Sequence, residues 1–223
     1  MTYRLSVHSI LRRVTAAHLH PPRPRDAEKS RSAILEAAVE VFSDRGFDGA
    51  RIAHIAERAG APAGLLYHYF HSKRDLFEAS LSHAFGPFAE SMRALFDHPS
   101  PRYELFEELV RRYFRLLVAR PRLARMTAWW YASLGWRESP VPAHALWAAK
   151  EEAVRFVRRL RDAGEIRASV DPGGAVLTVL ALCQHWAISH GENLHLLDVS
   201  AHEDPHEARL AQVLEHIARA LRP

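Results

Sequence analysis

Residues 55–70 read Ile55-Ala56-Glu57-Arg58-Ala59-Gly60-Ala61-Pro62-Ala63-Gly64-Leu65-Leu66-Tyr67-His68-Tyr69-Phe70, and the spacing within this stretch decides the fold. Ala56, Gly60 and Leu66 stand where a helix-turn-helix needs, in order, a small side chain at a close helix crossing, a sharp turn, and an apolar anchor for the second helix. Gly60 takes the left-handed turn conformation cheaply because it lacks a Cβ. Ile55 and Ala59 complete the buried side. Pro62 falls where the next helix would begin, and its missing N–H costs nothing there. Taken alone, these positions describe either a DNA-reading unit or an ordinary αα-hairpin.

Upstream, Ile34, Ala37, Ala38, Val41 and Phe42 recur at three and four residues, with Glu36, Glu40 and Asp44 on the other face. This is a first helix, stopped by Gly46. Ile52, Ile55, Ala56 and Ala59 line a second, and Leu65 to Phe70 fall on a third. Downstream of Ser72 no alternating strand pattern appears. The spacing predicts helices at about Asp75 to Phe96, Tyr103 to Ala119, Pro121 to Leu134, Val141 to Ala163, Pro172 to Ser189 and Pro205 to Leu221. Gly86 and Pro87 are expected to kink the first of these. The fold class is therefore all-α, with a three-helix helix-turn-helix domain at 29–75, a larger helical domain at 76–223 and a flexible basic arm at 1–28.

The composition agrees with a globular protein. The chain has 223 residues, 48% hydrophobic, with 10 Gly, 13 Pro and one cysteine, which excludes disordered, collagen-like, disulfide-stapled and cysteine-zinc classes. The formal net charge of +4 lies wholly in the first 75 residues, because residues 76–223 carry 18 basic and 18 acidic side chains. Such asymmetry suits a module facing a polyanion attached to a neutral body. The apolar run from Gly173 to Ile188 is interrupted by Thr178, Gln184 and His185 and is shorter than the roughly 20 residues of a spanning helix, so a soluble cytoplasmic protein is expected. The arm contains Pro21, Pro22, Arg23, Pro24 and Arg25; a transit peptide would look similar, and a flexible arm or a misassigned start codon is the favoured reading.

The run Ile34 to Phe42, Gly46-Phe47, Ile55 to Gly60, Gly64 to Phe70 and Ser72-Lys73-Arg74-Asp75-Leu76 closely resembles the N-terminal DNA-binding region of TetR-family transcriptional regulators. The resemblance covers residues 30–76 and implies that the third helix enters the major groove of double-stranded DNA. It implies phosphate contacts from the Tyr67 hydroxyl and from Lys73, with His68 on phosphate or base. Tyr69 and Phe70 are expected to pack, and Arg51 is a further phosphate candidate. Ala50 replaces the family's usual capping Thr, which would weaken the second helix by about 1 kcal/mol. Pro62 and Ala63 stand where Ser and Lys are frequent, and Leu65 where Thr is frequent. Base readout is then expected to use close backbone approach at Ala61, Ala63 and Gly64 and contact of Leu65 with thymine methyls.

In the larger domain Trp129, Trp130, Tyr131 and Trp136 cluster, with Phe114, Trp147, Phe156 and Trp186 on neighbouring helices; large aromatics serve either as core or as pocket wall. A small-molecule pocket is expected to use Phe114, Arg115, Arg125, Trp129, Trp130, His144, Trp147, Gln184 and His185. Leu210, Leu214, Ile217 and Leu221, with Leu180, are expected to form a homodimer interface. Histidine spacing at His185, His190 and His195, or His202 and His206, suits a metal poorly, and Cys183 lies in an apolar run with nothing to activate it. No cofactor, metal or catalytic residue is expected. The sequence thus describes a ligand-responsive regulator, most often a homodimeric repressor released from a pseudo-palindromic operator by a small molecule. The alternative is a helical enzyme or small-molecule carrier whose helix-turn-helix is only structural.

Overall fold

A computed structural model describes residues 24–134, 145–196 and 204–223, and the described residues contain helices and no strand. In chain order these are α1 (Pro24–Gly49), α2 (Ile52–Ala59), α3 (Ala63–Tyr69), α4 (Lys73–Phe96), α5 (Tyr103–Ala119), α6 (Pro121–Trp129), α7 (Ala145–Asp162), α8 (Pro172–Asn193) and α9 (Pro205–Leu221). α6 runs on into a π-helical turn, Trp130–Leu134, and α8 into a 3₁₀ turn, Leu194–Leu196. α1 packs against α2, α4 and α6; α4 packs along α7, and α8 lies among α5, α6, α7 and α9.

Local chemistry fixes the helix ends. Ser72 caps α4 by accepting from the Asp75 N–H at 3.0 Å, while the Asp75 carboxylate accepts from the His71 N–H at 2.9 Å. Asp171 and Asp204 cap α8 and α9 through their side chains, each followed by proline in the first turn. Gly60 ends α2 in the left-handed region, as its position in the motif requires. α2 itself starts from Arg51 without a side-chain cap, and Ala50 lies one residue earlier, buried. Pro62 precedes α3 as its cap residue, not as its first helical residue.

One expectation shifts. α1 begins at Pro24, inside the segment read as an arm, and the Tyr69 hydroxyl donates to the Ala27 carbonyl at 3.1 Å, tying this extension to α3. α4 runs through Gly86 and Pro87 as the single helix that the spacing predicted, 24 residues and about 36 Å at ~1.5 Å per residue. Proline there forfeits one backbone hydrogen bond without ending the helix.

Gly46 breaks the regular geometry of α1 with φ 69° and ψ 179°. A Cβ at this position would lie 2.9 Å from carbons of the Trp129 indole, so the position excludes a side chain twice over, by conformation and by contact. Gly46→Ala is expected to cost about 1–3 kcal/mol, lowering the thermal midpoint by roughly 2–4 °C per kcal/mol for a chain of this size. An unchanged midpoint in scanning calorimetry would refute the close approach.

Candidate nucleic-acid interface and interior cavity

The helix-turn-helix forms around the buried side chains of Ile55, Ala56 and Leu66. With Leu66 and Phe70 turned inward, the opposite face of α3 is left outside: Ala63, Gly64, Tyr67 and His68 are exposed, Tyr67 to 60%. Gly64 has open space where a Cβ would be. Ala61 and Leu65 are half-buried against the core, so Leu65 presents only part of its side chain outward. Arg51 is exposed at the start of α2.

Lys73, at the first position of α4, lies near the same end of the molecule through a different route. Its ammonium stands 4.8 Å from the Phe47 ring centre and donates to the Asp48 carbonyl at 3.2 Å. Partial burial holds its pKa below the usual lysine value, with Asp48 opposing that shift. Tyr69 and Phe70 pack as expected: Phe70 is buried under the Arg31 guanidinium, 5.4 Å from its ring centre.

The residues expected to line a pocket are distributed differently. Phe114 is buried core, and Arg115 is an exposed partner of Glu207, its Nε and Nη2 donating at 2.9 and 2.8 Å. Arg125 reaches from α6 to α1, donating to the Ser43 carbonyl and the Asp44 carboxylate at 3.3 Å each. Trp129 covers Gly46, and Trp130 is buried and stacked on Phe77 with centroids 6.2 Å apart. Trp147 donates to Glu151 at 3.1 Å. Gln184 is buried; its Nε2 donates to the Ala124 carbonyl at 2.6 Å and its Oε1 accepts from Thr127 at 3.0 Å. His185 is exposed, and His144 lies outside the described residues. Arg125, Trp129 and Trp130 therefore form the junction between the helix-turn-helix and the body. Glu40 joins them there, held by Arg58 of α2 and by Arg122 of α6 at 2.9 Å, and these guanidinium partners keep its carboxyl below the usual carboxylate range.

The cavity itself lies between α4, α5, α7 and α8, and none of the eight described pocket candidates lines it. Phe85, Phe88, Met92 and Phe96 of α4 form one wall, and Phe106, Leu109, Val110 and Tyr113 of α5 another. α7 adds Lys150 and small or aliphatic residues, and α8 adds Val176, Val179 and Leu180. The cavity volume is about 80 Å³. The sequence signal for it was the recurrence of Phe85, Phe88, Met92 and Phe96 at three and four residues on one face. Cys183 is buried on α8, and burial pushes its thiol up to about 12, so it is no nucleophile. No cluster of metal-binding type appears among the described residues.

The family model described as bacterial regulatory proteins, tetR family, matches residues 34–80. The transcriptional repressor NicS of Pseudomonas putida is 32% identical over 168 residues, which is 72% of this chain and 77% of NicS. The chain belongs to the TetR family. The Streptomyces coelicolor repressor SCO4008 is 31% identical over 74% of this chain and 81% of its own length. The fold of this TetR-family chain is shared by the regulator FadR from Bacillus subtilis, solved with stearoyl-CoA, at TM-score 0.63 and 22% identity over 83% of this chain and 96% of that one. FadR from Bacillus halodurans gives TM-score 0.66 at 19% identity over 89% and 96%. As a TetR-family member the chain is a helix-turn-helix DNA-binding transcriptional regulator, from a family of regulators and not of enzymes. No helix among the described residues is long and apolar enough to cross a membrane.

Because Trp130 is buried at the junction, Trp130→Ala is expected to destabilise the whole chain by about 3–5 kcal/mol. Urea denaturation checks this; an unaltered midpoint would deny Trp130 its place between Phe77 and the body.

Proposed function

We propose that this chain is a cytoplasmic, homodimeric repressor that a small molecule bound in the cavity releases from a pseudo-palindromic operator. The observation that carries the reading is the continuity of α4, whose first residue, Lys73, packs on Phe47 and Asp48 of the helix-turn-helix while its last three turns wall the cavity. A ligand that parts α4 from α7 or α8 moves Lys73 and α3 as a consequence. Two recognition helices must sit roughly 34–36 Å apart to read successive major grooves. Preference of the ligand for another spacing then opposes DNA through a coupling of about 1–3 kcal/mol. Repression as the output is supported by the names of the P. putida and S. coelicolor relatives, and the binding of a small molecule by a structural neighbour's being solved in complex with stearoyl-CoA.

Of the two helices that carry the expected dimer residues, α8 is the one that offers an exposed apolar face. Leu210, Leu214, Ile217 and Leu221 are buried within their own chain, and Leu180 is half-buried at the cavity. α8 carries Leu177 and Ile188, exposed to 65% and 49%, with Ala181 and His185 along the same stripe. An apolar stripe of this kind suits burial against a second copy. The double variant Leu177→Glu with Ile188→Glu is expected to sediment as a folded monomer; a persistent dimer would place the interface elsewhere. Leu214→Arg, by contrast, unfolds the body.

Fluorescence anisotropy with DNA from the chain's own upstream region, at several salt concentrations, tests the DNA side. Two protomers per site and resistance to competitor DNA are expected. Tyr67→Phe should weaken binding to every sequence, and Lys73→Ala should in addition lower the salt slope by about one. If Lys73→Ala leaves the slope untouched, Lys73 meets no phosphate. Turnover of a small molecule without affinity for any DNA would favour a helical enzyme or carrier instead.

A further inference from the structure

We propose that the cavity takes a single-headed organic anion, an apolar body bearing one carboxylate, with the carboxylate seated on the ammonium of Lys150. This deepens the effector reading above and rests on it.

The walls are rings and aliphatic side chains, and among the lining residues only Tyr113 and Lys150 carry polar side-chain atoms. Lys150 is the one lysine in residues 76–223, where the other basic side chains are arginines. Those arginines largely have carboxylate partners: Arg112 with Glu108, Arg115 with Glu207, Arg155 with Glu152. Lys150 has none among the described residues. Its Nζ donates to the Tyr131 hydroxyl at 2.9 Å and stands 4.8 and 5.8 Å from the ring centres of Tyr131 and Trp147. The two acids that follow it in sequence are engaged elsewhere, Glu151 by the Trp147 indole N–H and Glu152 by Arg155. Lys150 is half-buried along its stem, and its ammonium, which donates to one phenol hydroxyl and lies near two ring faces at the exposed edge of the cavity, retains donors for an oxyanion; a carboxylate there gains a charge-assisted hydrogen bond.

Tyr113 adds a hydroxyl from the α5 wall. Burial holds it well above the ordinary tyrosine pKa, so it remains a neutral donor at any physiological pH. The charge count limits the head to one anion. A single lining cation matches a monocarboxylate, whereas a polyphosphorylated head such as coenzyme A would leave several charges unmatched beside apolar walls.

The test uses the purified full chain and isothermal titration with two acids, dodecanoate and 2-naphthoate, against dodecanol and 2-naphthol, together with dodecanoyl-coenzyme A. At least one acid is expected to bind about tenfold or more tightly than its neutral counterpart. Lys150→Met should reduce that acid to the affinity of its neutral counterpart, and Lys150→Arg should restore part of the preference; melting curves of both variants verify that they fold. Equal affinity for acid and alcohol would overturn the anion assignment, and a preference surviving Lys150→Met would overturn the role of Lys150. Tighter binding of the thioester than of the free acid would overturn the single-headed ligand, and failure of every probe to bind would overturn the proposal whole. Anisotropy of the ligand-free protein on DNA, run beside the titrations, reports separately whether the regulator reading itself fails.

Discussion

Phe77 is fully buried where α1, α4 and the turn after α6 meet, and much of the structure depends on what surrounds it. Phe42 and Phe47 meet it edge-on, with centroids 4.8 and 5.6 Å away, and Trp130 stacks on it from the body. Each such pair contributes about 0.5–1.5 kcal/mol beyond the area it buries. Their greater effect is positional. Phe47, one of the rings against Phe77, also carries the Lys73 ammonium on its face, so the cluster that joins the two halves of the molecule also holds the first side chain of α4. The helix-turn-helix and the body share one continuous core, and α4 crosses the line between them without a break.

That shared core lets a change of packing in the body reach the helix-turn-helix without a wire of special residues. The junction is bare of slack: Trp129 rests on a glycine that has no room for a methyl group, and Glu40 is clasped from two sides. The surface ion pairs there add little stability individually, being solvent-exposed. They do tie α1 to α2 and to α6 by charge-assisted contacts, joining the helix-turn-helix to the body.

The helix-turn-helix was legible in the sequence because Ala56, Gly60 and Leu66 each meet a demand that few other residue types meet, and Gly60 does adopt the left-handed conformation. Helix number and span in the body were legible from periodicity for the same reason, with α5 and α9 ending where the spacing ended. Orientation was not. Trp129 and Trp130 stood out by size, yet periodicity alone does not say which neighbour a helix face meets, and they belong to the junction while the plainer Phe85, Phe88, Met92 and Phe96 wall the cavity. The stripe on α9 failed as a dimer face on the same ground, since a row of leucines has one pattern whether its own chain or a partner covers it. The shift of one residue at Pro62 and Ala50 reflects how helix ends are settled by tertiary packing as much as by local preference.

Cys183 gives the body a clock of its own. It is the sole thiol in the chain, nearly wholly enclosed on α8 and kept protonated far above neutral pH. A thiol reagent can reach it only during those intervals when α8 lifts from its neighbours, so the labelling rate in native buffer counts those openings directly. Occupancy of the adjoining cavity would slow that count by the same factor with which it holds α8 shut, giving a single-atom record of how strongly any bound molecule braces the helix.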